Sequence, residues 1–143
     1  MTVATILRNK GGDVVAAGRD DRVGDTVRLL AEKRIGAVPV TDGDGQVLGI
    51  LSERDVLYGL AREGAALLDR RVSEVMTAPA LTVTSDTSLL AALALMTQRR
   101  IRHLPVVDGG GMIGFISIGD LVKLRIDRIE AEADAMRQYI AGN

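Results

Sequence analysis

Two stretches of the sequence, Ile35-Gly-Ala-Val-Pro-Val-Thr-Asp42 and Ile101-Arg-His-Leu-Pro-Val-Val-Asp108, share Ile, Pro, Val and Asp at a constant separation of 66 residues. The similarity continues downstream. After one deletion near Gln46, Gly49-Ile-Leu-Ser-Glu-Arg-Asp55 aligns with Gly114-Phe-Ile-Ser-Ile-Gly-Asp120. Segments that align in the same order at nearly the same separation indicate an internal repeat.

Apolar positions upstream extend the repeat, and each copy predicts the element order β-α-β-β-α. Three pairs coincide at the same separation: Val23, Val27 and Leu30 with Leu89, Leu93 and Met96. The predicted elements of the first copy lie at about 14–17, 23–34, 37–41, 47–52 and 53–63. Those of the second copy lie at about 81–84, 88–100, 103–107, 112–117 and 118–140. Asp-containing caps, Asp20-Asp21 and Ser85-Asp86, are expected before the first helix of each copy.

One such unit, of about 55–60 residues, has only a marginal core, whereas two units packed face to face bury enough surface to be stable. The sequence therefore predicts an α+β fold of two pseudo-symmetric β-α-β-β-α repeats, with a cleft on each side of an internal two-fold axis. The predicted boundaries are 3–64 for the first repeat, 70–124 for the second and 125–143 for a C-terminal helical extension.

The composition excludes several classes of function. A net charge of −1 and 2% aromatic residues argue against nucleic-acid binding. The longest apolar run, Leu89–Met96, is far shorter than the ~20 residues of a membrane span. With no Cys and a single His, the chain offers no Cys/His zinc site, disulfide or thiol nucleophile. No secretory leader is evident, so the expected location is the cytoplasm.

The doubled motif resembles a tandem pair of CBS (cystathionine β-synthase) domains. It consists of a Leu/Val-Pro-Val strand ending at Asp, followed by Gly-hydrophobic-hydrophobic-Ser-x-x-Asp, and the resemblance covers about residues 3–124. The continuation from Ile118 is similar to a bacterial subgroup of stand-alone CBS pairs. The resemblance implies regulation rather than catalysis, and adenosine-containing ligands: AMP first, with ADP, ATP, NAD or S-adenosylmethionine as the others.

The Ser-x-x-Asp segments support this independently of the resemblance. A helix that begins at Glu53 or Ile118 presents unpaired N–H groups and its positive dipole end to the cleft. A carboxylate there can accept both hydroxyls of a ribose. The alternative is that Ser-x-x-Asp is a capping box that only closes a helix. Two copies after the same strand favour the ligand.

The resemblance also implies which residues line each cleft. Those of the Asp55 cleft are Ile50, Ser52, Asp55, Ala80, Leu81 and Ile101. Those of the Asp120 cleft are Phe115, Ser117, Asp120, Val14, Val15, Ile35 and Gly36. Taken singly, each apolar member is more typical of a core. Arg102 and His103 replace Gly36-Ala37 of the first repeat, and we expect them to contact phosphates, a solvated edge strand being the alternative.

Three other patterns are weaker. Gly43, Gly45 and Gly49 stand in a hairpin, whereas a dinucleotide fingerprint opens a helix. Ser117, His103 and Asp120 lack a nucleophile elbow, so a hydrolase is not expected. Asp42, Asp44 and Asp108 are typical of tight turns rather than of a calcium site.

The last helix carries an apolar heptad seam, spaced by steps of four and three: Val122, Ile126, Ile129, Ala133, Met136 and Ile140. We expect this seam to contact a second copy of the chain in a homodimer. The alternative is packing on the chain's own Val3, Ile6 and Leu7. A regulated protein partner is expected as well.

Overall fold

Residues 1–142 are described in a computed structural model of the chain, which contains six α-helices, five strands and a 3-10 helix. The helices are α1 Val3–Lys10, α2 Val23–Lys33, α3 Glu53–Glu63, α4 Val72–Val75, α5 Leu89–Arg99 and α6 Ile118–Ala141. The strands are β1 Ala17–Gly18, β2 Ala37–Thr41, β3 Val47–Ser52, β4 His103–Asp108 and β5 Gly111–Ser117, and the 3-10 helix is Gly64–Asp69. The predicted α+β repeat fold is confirmed.

Both predicted hairpins form in the same register. Pro39 of β2 lies opposite Ile50 of β3, and Pro105 of β4 lies opposite Phe115 of β5. Each hairpin also has a bulge at the equivalent place, after Val40 in the first and after Val106 in the second. The repeat therefore extends to the irregularities of the two sheets.

The leading strands, predicted at 14–17 and 81–84, are much shorter in the structure. Only Ala17–Gly18 pairs with β2, in parallel, and only Val83 forms a bridge, with Val106. The cause is the proline of each hairpin. A parallel ladder extended toward Val15 or Leu81 would need the N–H of Pro39 or Pro105, which proline lacks.

The predicted Asp-containing caps are wrong. Helix α2 follows Arg22 with no side-chain cap, and α5 is capped by Ser88, whose Oγ accepts from the N–H of Ala91 at 3.0 Å. Two of the residues expected to cap make other hydrogen bonds instead, Asp21 within the turn before α2 and Ser85 with the end of β4. The Asp21 carboxylate accepts from the N–H of Gly18 at 2.8 Å, and Ser85 donates its N–H and hydroxyl to Asp108.

Each repeat has its own core, and each core is completed by a helix from in front of the other repeat. The first core consists of Ala17, Val23, Leu30, Val38, Val40, Leu51, Leu67 and Val72, the last from α4. The second consists of Val3, Ile6, Val83, Ala92, Met96, Leu104, Val106, Ile116 and Leu121, the first two from α1. Neither α1, α4 nor the 3-10 helix is predicted from the sequence.

Helix α6 extends to Ala141, as predicted, and its heptad seam is exposed. Val122 and Met136, for example, keep 47% and 60% of their surface accessible. Helix α1 packs on a different face of α6, through Leu121 and Leu124, so the alternative in which the seam covers the N-terminal segment is wrong. The final residue of the predicted extension, Asn143, lies outside the described residues. Within 1–142, no helix combines the length and apolarity that crossing a membrane requires.

Two candidate ligand clefts

The two Ser-x-x-Asp segments have nearly identical geometry at the starts of α3 and α6. The N–H of Ser52 donates to Oδ2 of Asp55 at 2.9 Å, and the N–H of Ser117 donates to Oδ2 of Asp120 at 2.8 Å. In return, each Asp N–H donates to the Ser hydroxyl, at 3.3 and 3.2 Å. Both capping boxes therefore form. A carboxylate has acceptor sites beyond those that a cap uses, so capping and ligand binding are compatible.

A segment from the second repeat closes over Asp55. Thr77 donates its hydroxyl to Oδ1 of Asp55 at 2.9 Å, and it exchanges two backbone hydrogen bonds with Ile50, of 3.0 and 2.9 Å. Gly49 permits this approach, because a Cβ there would lie 2.6 Å from the carbonyl oxygen of Thr77. The chain after α4 is thus seated directly on β3.

The end of α1 occupies the equivalent place over Asp120. Lys10 donates from Nζ to Oδ2 of Asp120 at 2.8 Å and to the carbonyl oxygen of Phe115 at 2.8 Å. Gly114 corresponds to Gly49, and a Cβ there would clash with Leu7 of α1. Where the first cleft has a neutral hydroxyl, the second therefore has an ammonium group.

The Lys10 ammonium changes the electrostatics of the second cleft. Burial raises the pKa of the Asp120 carboxyl, but the hydrogen bonds from Lys10 and from the Ser117 N–H outweigh it, so this pKa lies below its ordinary value. His103 stacks on Phe115 with the ring centres 5.4 Å apart and the planes 12° from parallel. Burial lowers the pKa of His103 and the Lys10 charge lowers it further, while the Asp120 carboxylate opposes both.

Basic side chains also lie where the first cleft meets the second repeat. Arg54, on the first turn of α3, donates from Nη1 to the carbonyl oxygen of Arg100 at 3.2 Å. The carbonyl oxygen of Arg102 accepts from the N–H of Ile118 at 2.8 Å. The Arg102 side chain is exposed. The loop that enters β4 therefore bridges the starts of α3 and α6.

The structure brings together the polar residues that the sequence predicts. Ser52 and Asp55 meet beside Ile50, and Ser117 and Asp120 meet with Phe115 and His103.

The remaining predicted residues are placed less directly. Ile101 packs against the second core and Val15 against the first, while Ile35 and Gly36 line a groove between α2 and α3. Val14 and Ala80 are half-buried, and Leu81 is exposed. That these seven residues line the clefts stays a prediction.

Lys10 and Thr77 are functional candidates that the sequence analysis missed. Neither belongs to the repeated motif. Each stands at the end of the segment that leads into a repeat, in α1 or just after α4. The signal that could have identified them is this shared position, but it becomes visible only when the leading helices are seen to cross between repeats.

The described part of the chain holds no cluster of three or more His, Asp or Glu residues that could bind a metal ion. Asp42 in particular has a structural role, because its Oδ1 accepts from the N–H groups of Asp44 and Gln46 at 2.8 and 2.9 Å. Turn chemistry accounts for it, as predicted.

Comparison with known proteins matches residues 3–62 and 72–127 to the family model of the CBS domain. A mitochondrial CBS domain-containing protein of Arabidopsis thaliana, CBSX3, is 36% identical over 149 aligned positions, which cover 99% of this chain and 72% of that protein. Other curated relatives are longer, and the chain spans only 20–23% of their length.

Solved structures agree with this match. A CBS-domain protein from Agrobacterium tumefaciens superposes with a TM-score of 0.83 at 43% identity, covering 87% of this chain and 92% of that one. CBSX2, solved in complex with AMP, superposes with a TM-score of 0.76 at 28% identity, covering 88% of this chain and 96% of that one.

Proposed function

The chain belongs to the CBS-domain family, and from this premise we propose that it is a regulatory module that binds an adenosine-containing ligand, AMP first, in the clefts of Asp55 and Asp120. ATP, NAD and S-adenosylmethionine are the other candidate ligands. Such a sensor needs a compartment that contains adenine nucleotides, in keeping with the expected cytoplasmic location. The proposed role is regulatory and not catalytic.

One observation carries the proposal: both Asp carboxylates sit in the first turn of a helix and are contacted by a side chain from outside their own repeated motif. Thr77 contacts Asp55 and Lys10 contacts Asp120, each at hydrogen-bond distance. A ribose that donates its two hydroxyls to either carboxylate competes with that contact. Binding therefore acts on the connection between repeats, where a small change alters their relative angle.

A ligand shifts the equilibrium between two arrangements only by its difference in affinity for them. The contacts of Thr77 and Lys10 provide such a difference, because they are complete in the unliganded arrangement and are replaced on binding. In this way occupancy of a cleft would reach a partner protein, or the second protomer of a homodimer that associates through the seam of α6.

The test is to identify any nucleotide that the purified protein releases on denaturation, and to measure its melting temperature with AMP, ATP, NAD and S-adenosylmethionine. A ligand at a hundred times its Kd stabilises the fold by about 2.7 kcal/mol, or roughly 5–10 °C for a chain of this size. The double variant Asp55→Asn, Asp120→Asn removes both carboxylate charges at almost unchanged side-chain size, and it should lose the shift in melting temperature. No shift with any of the four at millimolar concentration contradicts the proposal.

A second candidate function rests on a different observation, the exposed seam of α6. Five of its apolar residues are 47–68% accessible, and they continue past the end of the repeat. A constitutive dimeric adaptor, in which the clefts no longer bind ligand, would use this seam as its working surface. Retention of both Asp55 and Asp120 favours the sensor, and the ligand test above separates the two.

A further inference from the structure

Lys10 is the side chain that most distinguishes the two clefts. It belongs to no repeated motif, yet its ammonium group bridges Asp120 and the carbonyl oxygen of Phe115, both at 2.8 Å. The paired carboxylate is 26% exposed and the lysine side chain 40% exposed. The ion pair is therefore partly shielded, while the flexible stem of Lys10 remains free to move toward the solvent side of the cleft.

A ligand whose ribose hydroxyls bind the Asp120 carboxylate displaces the Lys10 ammonium from it. An uncharged nucleoside offers that ammonium no replacement, so its binding includes the cost of breaking an ion pair. A phosphorylated ligand carries its own anion close to the ribose, and a lysine is a suitable point charge for a phosphate. The cost is then offset by a new ion pair.

The surroundings reinforce this effect. The charges of Lys10 and Arg102 both act on His103, which lies against Phe115 in the same cleft. The two carboxylates that also act on His103 are those of Asp120 and Glu53. Once a ribose displaces Lys10 from Asp120, the ammonium loses its direct contact with an anion, and an incoming phosphate replaces that contact.

We propose that Lys10 makes the Asp120 cleft selective for phosphorylated adenosine ligands, by leaving Asp120 for the ligand's phosphate when the ribose binds. This inference rests on the proposed function and specifies the ligand class of one of its two sites. In the Asp55 cleft, the Thr77 hydroxyl that corresponds to Lys10 carries no charge and imposes no such requirement.

The only histidine of the chain provides a local probe. Because His103 stacks on Phe115 inside the Asp120 cleft, its imidazole NMR signals report occupancy of that cleft separately from the other. Titrations with AMP and with adenosine give a Kd for each. In the wild type, AMP should bind tighter than adenosine by about tenfold or more, the factor that corresponds to 1.4 kcal/mol. In Lys10→Met the ratio should fall well below the wild-type value, with adenosine binding at least as tightly as before, and any remaining preference for AMP is assigned to Arg102 and His103.

Arg8→Met is the matched control, because Arg8 is a second long cation on α1 whose hydrogen bond goes to Thr5 rather than to the cleft. It should keep the wild-type ratio. Lys10→Gln provides a second neutral variant and should behave as Lys10→Met.

The outcomes separate the two proposals. An unchanged ratio in Lys10→Met overturns the role of Lys10 and leaves the proposed function intact. A ligand that raises the melting temperature without moving the His103 signals does the same. If neither AMP nor adenosine affects the signals or the melting temperature, the role of Lys10 and nucleotide binding by AMP are both overturned.

Discussion

The Asp55 and Asp120 clefts have the same backbone and different charge. Their capping boxes agree within 0.1 Å in each hydrogen bond, yet a threonine contacts one carboxylate and a lysine the other. The repeated motif sets the helix starts and so keeps them alike. The contacting residues come from the segments in front of each repeat, which no capping requirement constrains. Under the proposed function, ligand preference can therefore diverge between the clefts without disturbing either fold.

The closing helices differ in a second way, because α3 has 11 residues and α6 has 24. The extra turns of α6 carry most of the seam.

The largest effect we expect comes from placing charges on the seam. Ile129→Glu with Met136→Glu would bury an unpaired carboxylate at each position of a dimer, which costs several kcal/mol per site unless the protomers separate. Light scattering should show a monomer, with the far-ultraviolet circular dichroism retained.

Lys123→Glu, a charge change at an exposed position of the same helix, is the control and should leave the wild-type mass unchanged. A dimer that survives both seam substitutions, or a wild type that is already monomeric, would show that the seam is not the contact between copies.

A smaller effect distinguishes the two strands that receive the leading segments. In Gly49→Ala the new Cβ meets the backbone oxygen of Thr77 at 2.6 Å, whereas in Gly114→Ala it meets the end of the Leu7 side chain, which can rotate away. Overpacking costs about 1–3 kcal/mol where the neighbour cannot yield. Urea unfolding should therefore show a larger loss of stability for Gly49→Ala. Equal losses would mean that the Leu7 side chain yields no more readily than the Thr77 backbone.

The smallest effect concerns His103, which has no counterpart in the first repeat because Ala37 stands there. Burial, together with Lys10, holds its pKa below the ordinary value of 6.5 in the folded state, so the unfolded chain binds the proton more readily. This contribution to stability is complete above about pH 6.5 and is lost as the pH falls through the folded pKa. Urea midpoints between pH 7 and 5 should decline in the wild type.

His103→Gln should flatten that decline. The Asp108 and Asp120 carboxyls, whose pKa values are also lowered, lose their contributions only below the ordinary carboxyl value of 3.8, outside this range. A decline of the same size in His103→Gln would assign it to other groups.

The sequence predicts the hairpins and the closing helices well because local patterns determine them. The Pro and Gly spacing positions the hairpins, and Ser-x-x-Asp positions the starts of α3 and α6. The predicted lengths of the leading strands are wrong because they depend on tertiary pairing. Val15 and Leu81 could extend a ladder only if β2 and β4 offered an N–H in place of Pro39 and Pro105, which are distant in the sequence. The β-rich composition of residues 14–17 does not show which residues will lie opposite them in the sheet.

The candidate site divides in the same way. Asp55 and Asp120 are predictable because the motif that places them is repeated. Lys10 is not, because its role arises from a contact 110 residues away in the chain. Its helix is short, and its place in the second core follows from the burial of Val3 and Ile6, which the sequence pattern alone does not show.

The exchange of α1 and α4 has a consequence for how such a chain could arise. A single ancestral unit, with its leading helix attached, would have no place for that helix in its own core and a vacancy where another belongs. Two copies would complete each other's cores by exchanging their leading helices, as in domain-swapped dimers. Duplication and fusion of the gene would then make permanent a partnership that began between separate molecules, and it would free the two leading segments to evolve apart.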